Sequence, residues 1–281
     1  MHETTRLRAD CARCFALCCV APAFSASAEF AIDKAAGQPC PNLRPDFRCG
    51  IHRDLRQSGF SGCTVYDCFG AGQKVAQDTF GGVDWRRAPE SAALMFEVFA
   101  VMRQLHELLW YLVAALEIDE ARTVHGELRG AVDETERLTN LGPEDLARLD
   151  VASHWTAANT LLLRTSELAR AGYPGADCRG ADFVGADLRE RDLRGASLRG
   201  ARLIGADLRG VDLTRADLTG ADCRGADLRG TRLDASLFLI QSQVDAALGD
   251  ATTRLPAGLT HPSHWSTAGA ATRPRGRTGT R

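Results

Sequence analysis

Lysine is nearly absent from this chain of 281 residues, since Lys34 and Lys74 are the only lysines among its 34 basic side chains. With 36 acidic residues, the formal net charge is −2, which excludes a strongly basic nucleic-acid-binding protein as a description of the whole chain. The scarcity of lysine indicates GC-rich coding rather than chemistry. The fractions of hydrophobic residues, 44%, and charged residues, 25%, place the chain among globular proteins.

A long uncharged apolar run is also missing. The most apolar stretch, residues 92–116, contains two glutamates, an arginine and a histidine, so it fails the requirement of about 20 apolar residues for a membrane span. Two arginines before the apolar residues 15–21 imitate a signal peptide, but Asp10, Arg13 and the cysteines of this segment argue against export. The sequence therefore predicts a cytoplasmic protein with no membrane partner.

Recognisable catalytic motifs are missing as well. Residues 70–74 imitate a phosphate-binding loop only superficially, because no serine or threonine follows the lysine and the glycine spacing is wrong. Neither a Ser-His-Asp set nor a carboxylate pair can be argued from spacing. The sequence thus favours a non-enzymatic protein and identifies no catalytic or cofactor-binding residue.

Residues 176–235 consist of twelve consecutive five-residue units without an insertion. The first position is alanine in nine units, the third is leucine, phenylalanine or cysteine in all twelve, and the fifth is glycine in nine. A helix of period 3.6 cannot keep a period of five on one face. Alternation within each unit instead turns positions one and three inward, and glycine at position five permits a turn.

This run resembles the pentapeptide-repeat family, whose signature is A-(D/N)-L-x-x. The resemblance implies a right-handed quadrilateral β-helix with four pentads per coil and about three coils. Leucines twenty residues apart should form two ladders: Leu188, Leu208 and Leu228, and Leu193, Leu213 and Leu233. Cys178 and Cys223 should be small core residues. Arg191 occupies an inward first position, so either the coil is distorted there or its side chain reaches solvent.

The outward positions carry charged columns. One column holds Asp187, Asp207 and Asp227, and the neighbouring column holds Arg189, Arg209 and Arg229. We interpret such mixed stripes as a solvated face. Some members of the family mimic DNA and bind type II topoisomerases, which requires a long acidic surface. The 13 acidic and 11 arginine side chains of residues 176–250 make this alternative less favoured.

Eight of the ten cysteines fall within the first 68 residues. Such density in a short segment predicts a metal site or a disulfide framework. A segment with a small hydrophobic core needs cross-links of this kind to be stable. The C-x2-C pair formed by Cys11 and Cys14 can grip one metal ion from a tight turn. The candidate ligands are these nine residues: Cys11, Cys14, Cys18, Cys19, Cys40, Cys49, His52, Cys63 and Cys68.

The segment resembles the zinc- or iron-chelating domain typified by the YkgJ group. The matching residues are Cys11, Cys14, Cys18, Cys19, Cys40, Leu43, Cys49, Ile51 and His52. The sequence departs from the pattern at His52, where tyrosine is more usual, and in the absence of an arginine-proline-cysteine segment. Cys63 and Cys68 are therefore the less secure ligands. Zinc or iron is the expected cofactor, and disulfides or free redox thiols are the alternatives.

The middle of the chain predicts helices. Apolar residues recur every three or four positions over 90–117, a second helix spans 119–139, and a third runs from Gly142 to about Ala169. Arg103 and Glu107 form a plausible surface pair. The first helix is apolar around more than one stripe, so either two neighbours pack on it or it joins a second copy of the chain.

Four parts follow from these patterns. They are a cysteine-rich zinc- or iron-chelating segment (1–80), a helical region (81–172), a pentapeptide-repeat β-helix with a C-terminal cap (173–250) and a basic flexible tail (251–281). The tail is more readily a solvated end than a nucleic-acid-binding element. The predicted function is a non-enzymatic scaffold for a protein partner, with a metal centre at its N-terminus. The alternative is an iron-dependent oxidoreductase or metal-transfer protein.

Overall fold

The computed structural model describes residues 6–267, which fall into two compact units that divide between Gly172 and Tyr173. The first unit joins an irregular cysteine-rich segment to a set of helices. The second unit is a coil of pentads. No helix within the described range is long and apolar enough to cross a membrane.

The first unit is helical in its C-terminal half. Its α-helices are α1 Leu17–Val20, α2 Ser61–Thr64, α3 Ala71–Gln73, α4 Ala92–Leu116, α5 His125–Thr139, α6 Pro143–Ala147 and α7 Val151–Arg170. Lys74–Thr79 continues α3 as a π-helix, and two 3₁₀-helices, Pro89–Ser91 and Asp119–Val124, precede α4 and α5. Two isolated antiparallel bridges, Phe24 with Lys34 and Leu43 with Cys49, order the segment before α2.

Helix α4 forms the centre of this unit. In the predicted stripe, Val98, Leu105, Leu108 and Leu112 are buried, and Leu94, Val101 and Leu116 are half-buried. Residues outside the stripe, including Phe99 and Tyr111, are buried as well. Helices α5, α6 and α7 of the same chain all pack against α4, which explains why its apolar surface is wider than one stripe. A homodimer through residues 90–117 stays a prediction, because intramolecular packing already accounts for that surface.

The predicted third helix is divided in the structure. Helix α6 ends at Ala147 and α7 begins at Val151, with Asp150 as the N-cap between them. The Asp150 carboxylate accepts hydrogen bonds from the Ser153 backbone N–H at 3.1 Å and from its hydroxyl at 2.6 Å. Such a cap satisfies amide groups that a continuous helix would have bonded internally, so the chain starts a new helix there.

The second unit is held together by parallel bridges between residues twenty positions apart. Asp187 pairs with Asp207, and Asp207 pairs in turn with Asp227. An offset of twenty residues means four pentads per coil. Each side of the coil is one pentad long, so pairing takes the form of isolated bridges, and no extended strand forms among residues 173–267.

First and third positions of the pentads fill the interior, as predicted. Both leucine ladders are buried, and Cys223 lies in the same core with Cys178 packed against it. Glycines at the fifth position adopt positive φ, as at Gly200 (63°), which lets the chain turn each corner. Arg191 leaves its inward position: the side chain is exposed, and its guanidinium lies 5.7 Å from the Phe183 ring centroid.

The coil is closed by helix α8, Gln241–Ala246, as the sequence indicated. Leu255, Leu259 and Trp265, which belong to the segment predicted as the tail, pack into or against the core of the coil. Arg254 bridges to Arg232, and Trp265 is buried in the core with its indole N–H donating to the Ala247 carbonyl at 3.0 Å. The basic stretch predicted beyond residue 267 lies outside the described residues.

Candidate metal centre

Cys14 lies at a tight turn that leads into helix α1. Ala16 adopts a left-handed conformation with φ of 56°, which brings the chain around the Cys14 side chain. Burial raises the pKa of the Cys14 thiol to about 12, and hydrogen bonds from the backbone N–H groups of Leu17 and Ala16 oppose that rise. Backbone N–H groups aimed at a sulfur stabilise a thiolate once its proton is gone.

Cys68 lies in a turn of the same kind. Phe69 and Gly70 both have positive φ, 49° and 78°, so the chain folds back over the Cys68 sulfur at the start of helix α3. Burial raises the pKa of Cys68, and N–H groups of Gly72 and Gly70 oppose that rise. A side chain at Gly70 would meet the Arg6 carbonyl oxygen at 2.2 Å, so glycine is required there by both conformation and space.

Helix α4 holds the turn of Cys68 in place. The buried His106 ring contacts the Phe69 carbonyl through Nδ1 at 2.7 Å. Arg103 donates from Nε to the Asp67 carbonyl at 3.0 Å and pairs with Glu107 at 3.2 Å. The predicted Arg103–Glu107 pair is therefore present, but it is half-buried. Through its bond to Asp67, Arg103 links the Cys68 turn to helix α4.

Four cysteines converge on one small cavity. The cavity has a volume of about 20 Å³, roughly the space of one water molecule. Its lining includes Cys11, Cys14, Cys18 and Cys68 from the irregular segment, together with Gly72. A Cβ atom built on Gly72 would lie 2.6 Å from the Cys14 sulfur and 3.9 Å from the Cys68 sulfur. The missing side chain at Gly72 thus leaves room for these two sulfurs to approach each other.

The other four cysteines form a second neighbourhood. The Cys40 N–H donates to the Cys19 carbonyl at 3.0 Å, and Leu43, which bridges to Cys49, donates to the Cys40 carbonyl at 2.9 Å. Burial raises the pKa of Cys63 to about 11, and negative charge on Cys19, Cys40 and Cys49 adds to the rise. Cys63 therefore lies near the other three thiols.

Lys34 lies beside this second neighbourhood, and sequence reasoning missed it. Its ammonium group is buried and donates to three carbonyl oxygens, those of Val20, Gln38 and Ala35, at 2.9, 2.9 and 3.1 Å. Burial lowers the pKa of Lys34, and negative charge on Cys40 and Cys19 opposes that fall. Nothing in the sequence distinguishes Lys34 from Lys74, since the carbonyl groups that Lys34 binds come together only in the fold.

Cys18 and Cys19 connect the two neighbourhoods, with sulfur atoms 3.9 Å apart. Their hydrogen bond raises the pKa of Cys18 and lowers that of Cys19. Burial raises the pKa of Cys11 and Cys49 as well. Most of these thiols are therefore protonated near neutral pH, and a bound metal ion would displace their protons.

The structure does not bring all nine predicted ligands together. All ten cysteines lie within the described residues and are free thiols. In residues 6–267, no three His, Cys, Asp or Glu side chains are positioned as a group that could hold a metal ion. His52 is exposed in the turn after Cys49. The thiols around the cavity fit zinc or iron by chemistry and location, and their sulfurs would have to draw closer to coordinate it.

The repeat unit defines the class of protein. The family model "Pentapeptide repeats" matches residues 175–210 and 196–234, in eight copies. Residues 175–234 are therefore pentapeptide repeats, as the sequence indicated. It is 57% identical over 264 residues to the uncharacterized protein YybG of Bacillus subtilis (strain 168), an alignment that covers 92% of this chain and 95% of YybG. The two chains are therefore members of one family over nearly their whole length.

A solved structure matches part of this chain. It is the 1.7 Å crystal structure of a pentapeptide repeat protein from the Arabidopsis thaliana thylakoid lumen, 35% identical. The match covers 24% of this chain and 57% of that chain, with a TM-score of 0.14.

Proposed function

We propose that this protein is a non-enzymatic scaffold whose N-terminal segment binds zinc or iron through cysteine thiolates. The observation that carries the proposal is the convergence of Cys11, Cys14, Cys18 and Cys68 on a cavity large enough for one ion. Four thiolates make a complete tetrahedral shell with Zn–S distances of about 2.3 Å. A complete shell leaves no open position for substrate, which suits a structural ion.

The segment also needs an ion for its own stability. Before residue 70 its helices are four residues long, and the rest is turns and single bridges. Short irregular segments bury little apolar surface, and a metal ion then supplies folding energy. A cytoplasmic location, which keeps thiols reduced, belongs to the same proposal.

The coil serves as the platform in this proposal. Its family implies a right-handed quadrilateral β-helix, and the twenty-residue bridges and the filled leucine core support that architecture. Arg189 pairs with Asp187 at 2.6 Å and with Asp207 of the next coil at 3.4 Å. Such pairing compensates the acidic column, which disfavours mimicry of DNA and favours a face that contacts a protein. A gyrase supercoiling assay in which the protein bound or protected the enzyme would support the mimic instead.

Elemental analysis of untagged protein tests the metal centre. We expect zinc or iron in the wild type, a lower content in Cys14→Ala, and an unchanged content in Cys223→Ala, a matched control buried in the coil. Absence of bound metal, with all thiols titratable and the fold intact, would refute the proposal. Visible absorption of anaerobically purified protein separates a colourless zinc protein from a coloured iron protein, which would support the oxidoreductase or metal-transfer alternative.

A further inference from the structure

We infer that the eight N-terminal cysteines form two adjacent four-thiolate sites, one made by Cys11, Cys14, Cys18 and Cys68 and the other by Cys19, Cys40, Cys49 and Cys63. This inference rests on the proposed function and adds the number of ions and the division of ligands. The dividing point is the Cys18–Cys19 dipeptide in helix α1. Successive residues of a helix point about 100° apart, so the two side chains leave the helix in different directions.

The first site is the cavity. Its lining contains one member of the dipeptide, Cys18, and three further cysteines from the turns before α1 and α3. None of Cys19, Cys40, Cys49 and Cys63 contributes to this lining. Four thiolates saturate a tetrahedral ion, so the cavity has no need of the remaining four.

Backbone contacts gather the second site. The Cys40 N–H bonds to the Cys19 carbonyl, and the turn closed by the Leu43–Cys49 bridge returns Cys49 toward Cys40. Cys63 follows Gly62, whose N–H donates to the Glu29 carbonyl at 3.1 Å. The 24–34 hairpin that carries Glu29 also carries Lys34, so one small element approaches three segments that bear cysteines.

Lys34 distinguishes the second site by charge. Its three ammonium protons are all used on backbone carbonyls, which leaves it a fixed positive charge rather than a donor to sulfur. The carbonyls of Val20 and Gln38 flank Cys19 and Cys40, so the ammonium stays beside these two cysteines. A divalent ion with four thiolates has a net charge of −2, and a buried cation at its edge partly compensates that charge.

The two sites would lie in contact. The Cys18 and Cys19 sulfurs, 3.9 Å apart, are at van der Waals distance and belong to different shells in this arrangement. Each thiol that binds loses its proton to solvent and forms one metal–sulfur bond, so no oxidant or reductant is required.

Native mass spectrometry of the full chain reconstituted with Zn²⁺ alone tests the division. Cys11 and Cys63 are both exposed, so Cys11→Ala and Cys63→Ala remove one ligand from each set with little loss of packing. Under a competing chelator we expect two ions in the wild type and in the Cys223→Ala control, one in each single variant, and none in the double variant. Iodoacetamide mapping of Cys11→Ala should label Cys14, Cys18 and Cys68 while the second set stays protected.

The outcomes separate this inference from the proposed function. One ion in the wild type would overturn the two-site division but would still support the proposed metal-binding function. No bound ion would refute both the division and the proposed function. Loss of both ions from either single variant would show a single joined cluster and would also overturn the division. Circular dichroism of each variant without zinc gives a second readout, since a variant that is unfolded from the start is replaced by Cys14→Ala or Cys49→Ala of the same set.

Discussion

Gly72 lies against Cys14 so closely that a Cβ atom on the glycine would stand 2.6 Å from the cysteine sulfur. Gly72 is helical, and its φ is not positive, so a larger residue is excluded by space and not by backbone conformation. The glycine keeps open the space between Cys14 and Cys68 that the proposed ion would enter.

Gly72→Ala is therefore expected to lower the metal content of the protein, because the added methyl group displaces the Cys14 sulfur. Gly130→Ala is the matched control: Gly130 also lies in a helix, α5, and its Cβ would meet nothing within 4 Å. The control should retain its metal and gain about 0.5–1 kcal/mol of stability. A Gly72→Ala protein with wild-type zinc content would contradict the proposed position of the ion.

The two lysines of the chain provide a second comparison. Lys34→Met leaves three carbonyl oxygens without their buried donor, and we expect the free energy of unfolding to fall by about 2–4 kcal/mol. Lys74→Met removes a half-buried pair with Asp78 at 3.2 Å and a hydrogen bond to Asn140 Oδ1 at 2.7 Å, and it should cost about 1 kcal/mol. Urea denaturation of both variants gives the two values. Equal losses would show that the Lys34 ammonium does not hold the 20–38 segment together.

The coil contains one ion pair unlike the others that are described. The Asp217 side chain is fully buried and accepts from Arg199 at 3.1 Å and from the Thr219 hydroxyl at 2.6 Å. Asp217→Asn leaves the nearly buried Arg199 without its anion, and we expect a loss of about 3 kcal/mol in the free energy of unfolding. Asp187→Asn, in an exposed pair with Arg189 of its own pentad, should cost far less. Similar thermal melting points for the two variants would contradict this assignment.

The coil could be predicted from sequence almost residue by residue, because its regularity is encoded in every pentad. Positions such as Leu208 and Ala206 repeat a local pattern that needs no distant partner to be interpreted. Asp217 shows the limit of that reasoning: its second position predicts exposure, yet it is buried at 0%. Whether an outward-facing residue is buried depends on the packing around its own coil. The repeat pattern carries no information about that packing.

For the candidate metal centre, the sequence predicted which residues could take part but not how they are arranged. Cysteine spacing predicted candidate ligands but not which of them lie together, since that depends on how Cys68 returns to Cys14 and how Cys40 returns to Cys19 through tertiary contacts. Lys34 could not be assigned from sequence for the same reason. The α6–α7 break was missed because an aspartate within a helical pattern becomes a cap only when the following turn offers its N–H groups.

His106 makes the first unit sensitive to acid. Burial lowers the pKa of His106 to about 4 from its usual 6.5, and the neutral ring contacts the Phe69 carbonyl. The folded-state pKa lies below that of the unfolded chain, so this stabilisation is fully present above pH 6.5. It is lost as the pH falls toward 4, because the unfolded chain takes up the proton first.

At pH 5 the loss relative to pH 7 should be about 2 kcal/mol, given a pKa of about 4 in the fold and 6.5 in the unfolded chain. Urea denaturation at the two pH values measures it. His106→Gln should be less stable than the wild type at pH 7 but should lose about 2 kcal/mol less on acidification. If His106→Gln and the wild type lost equal stability between pH 7 and pH 5, the acid sensitivity would belong to other groups.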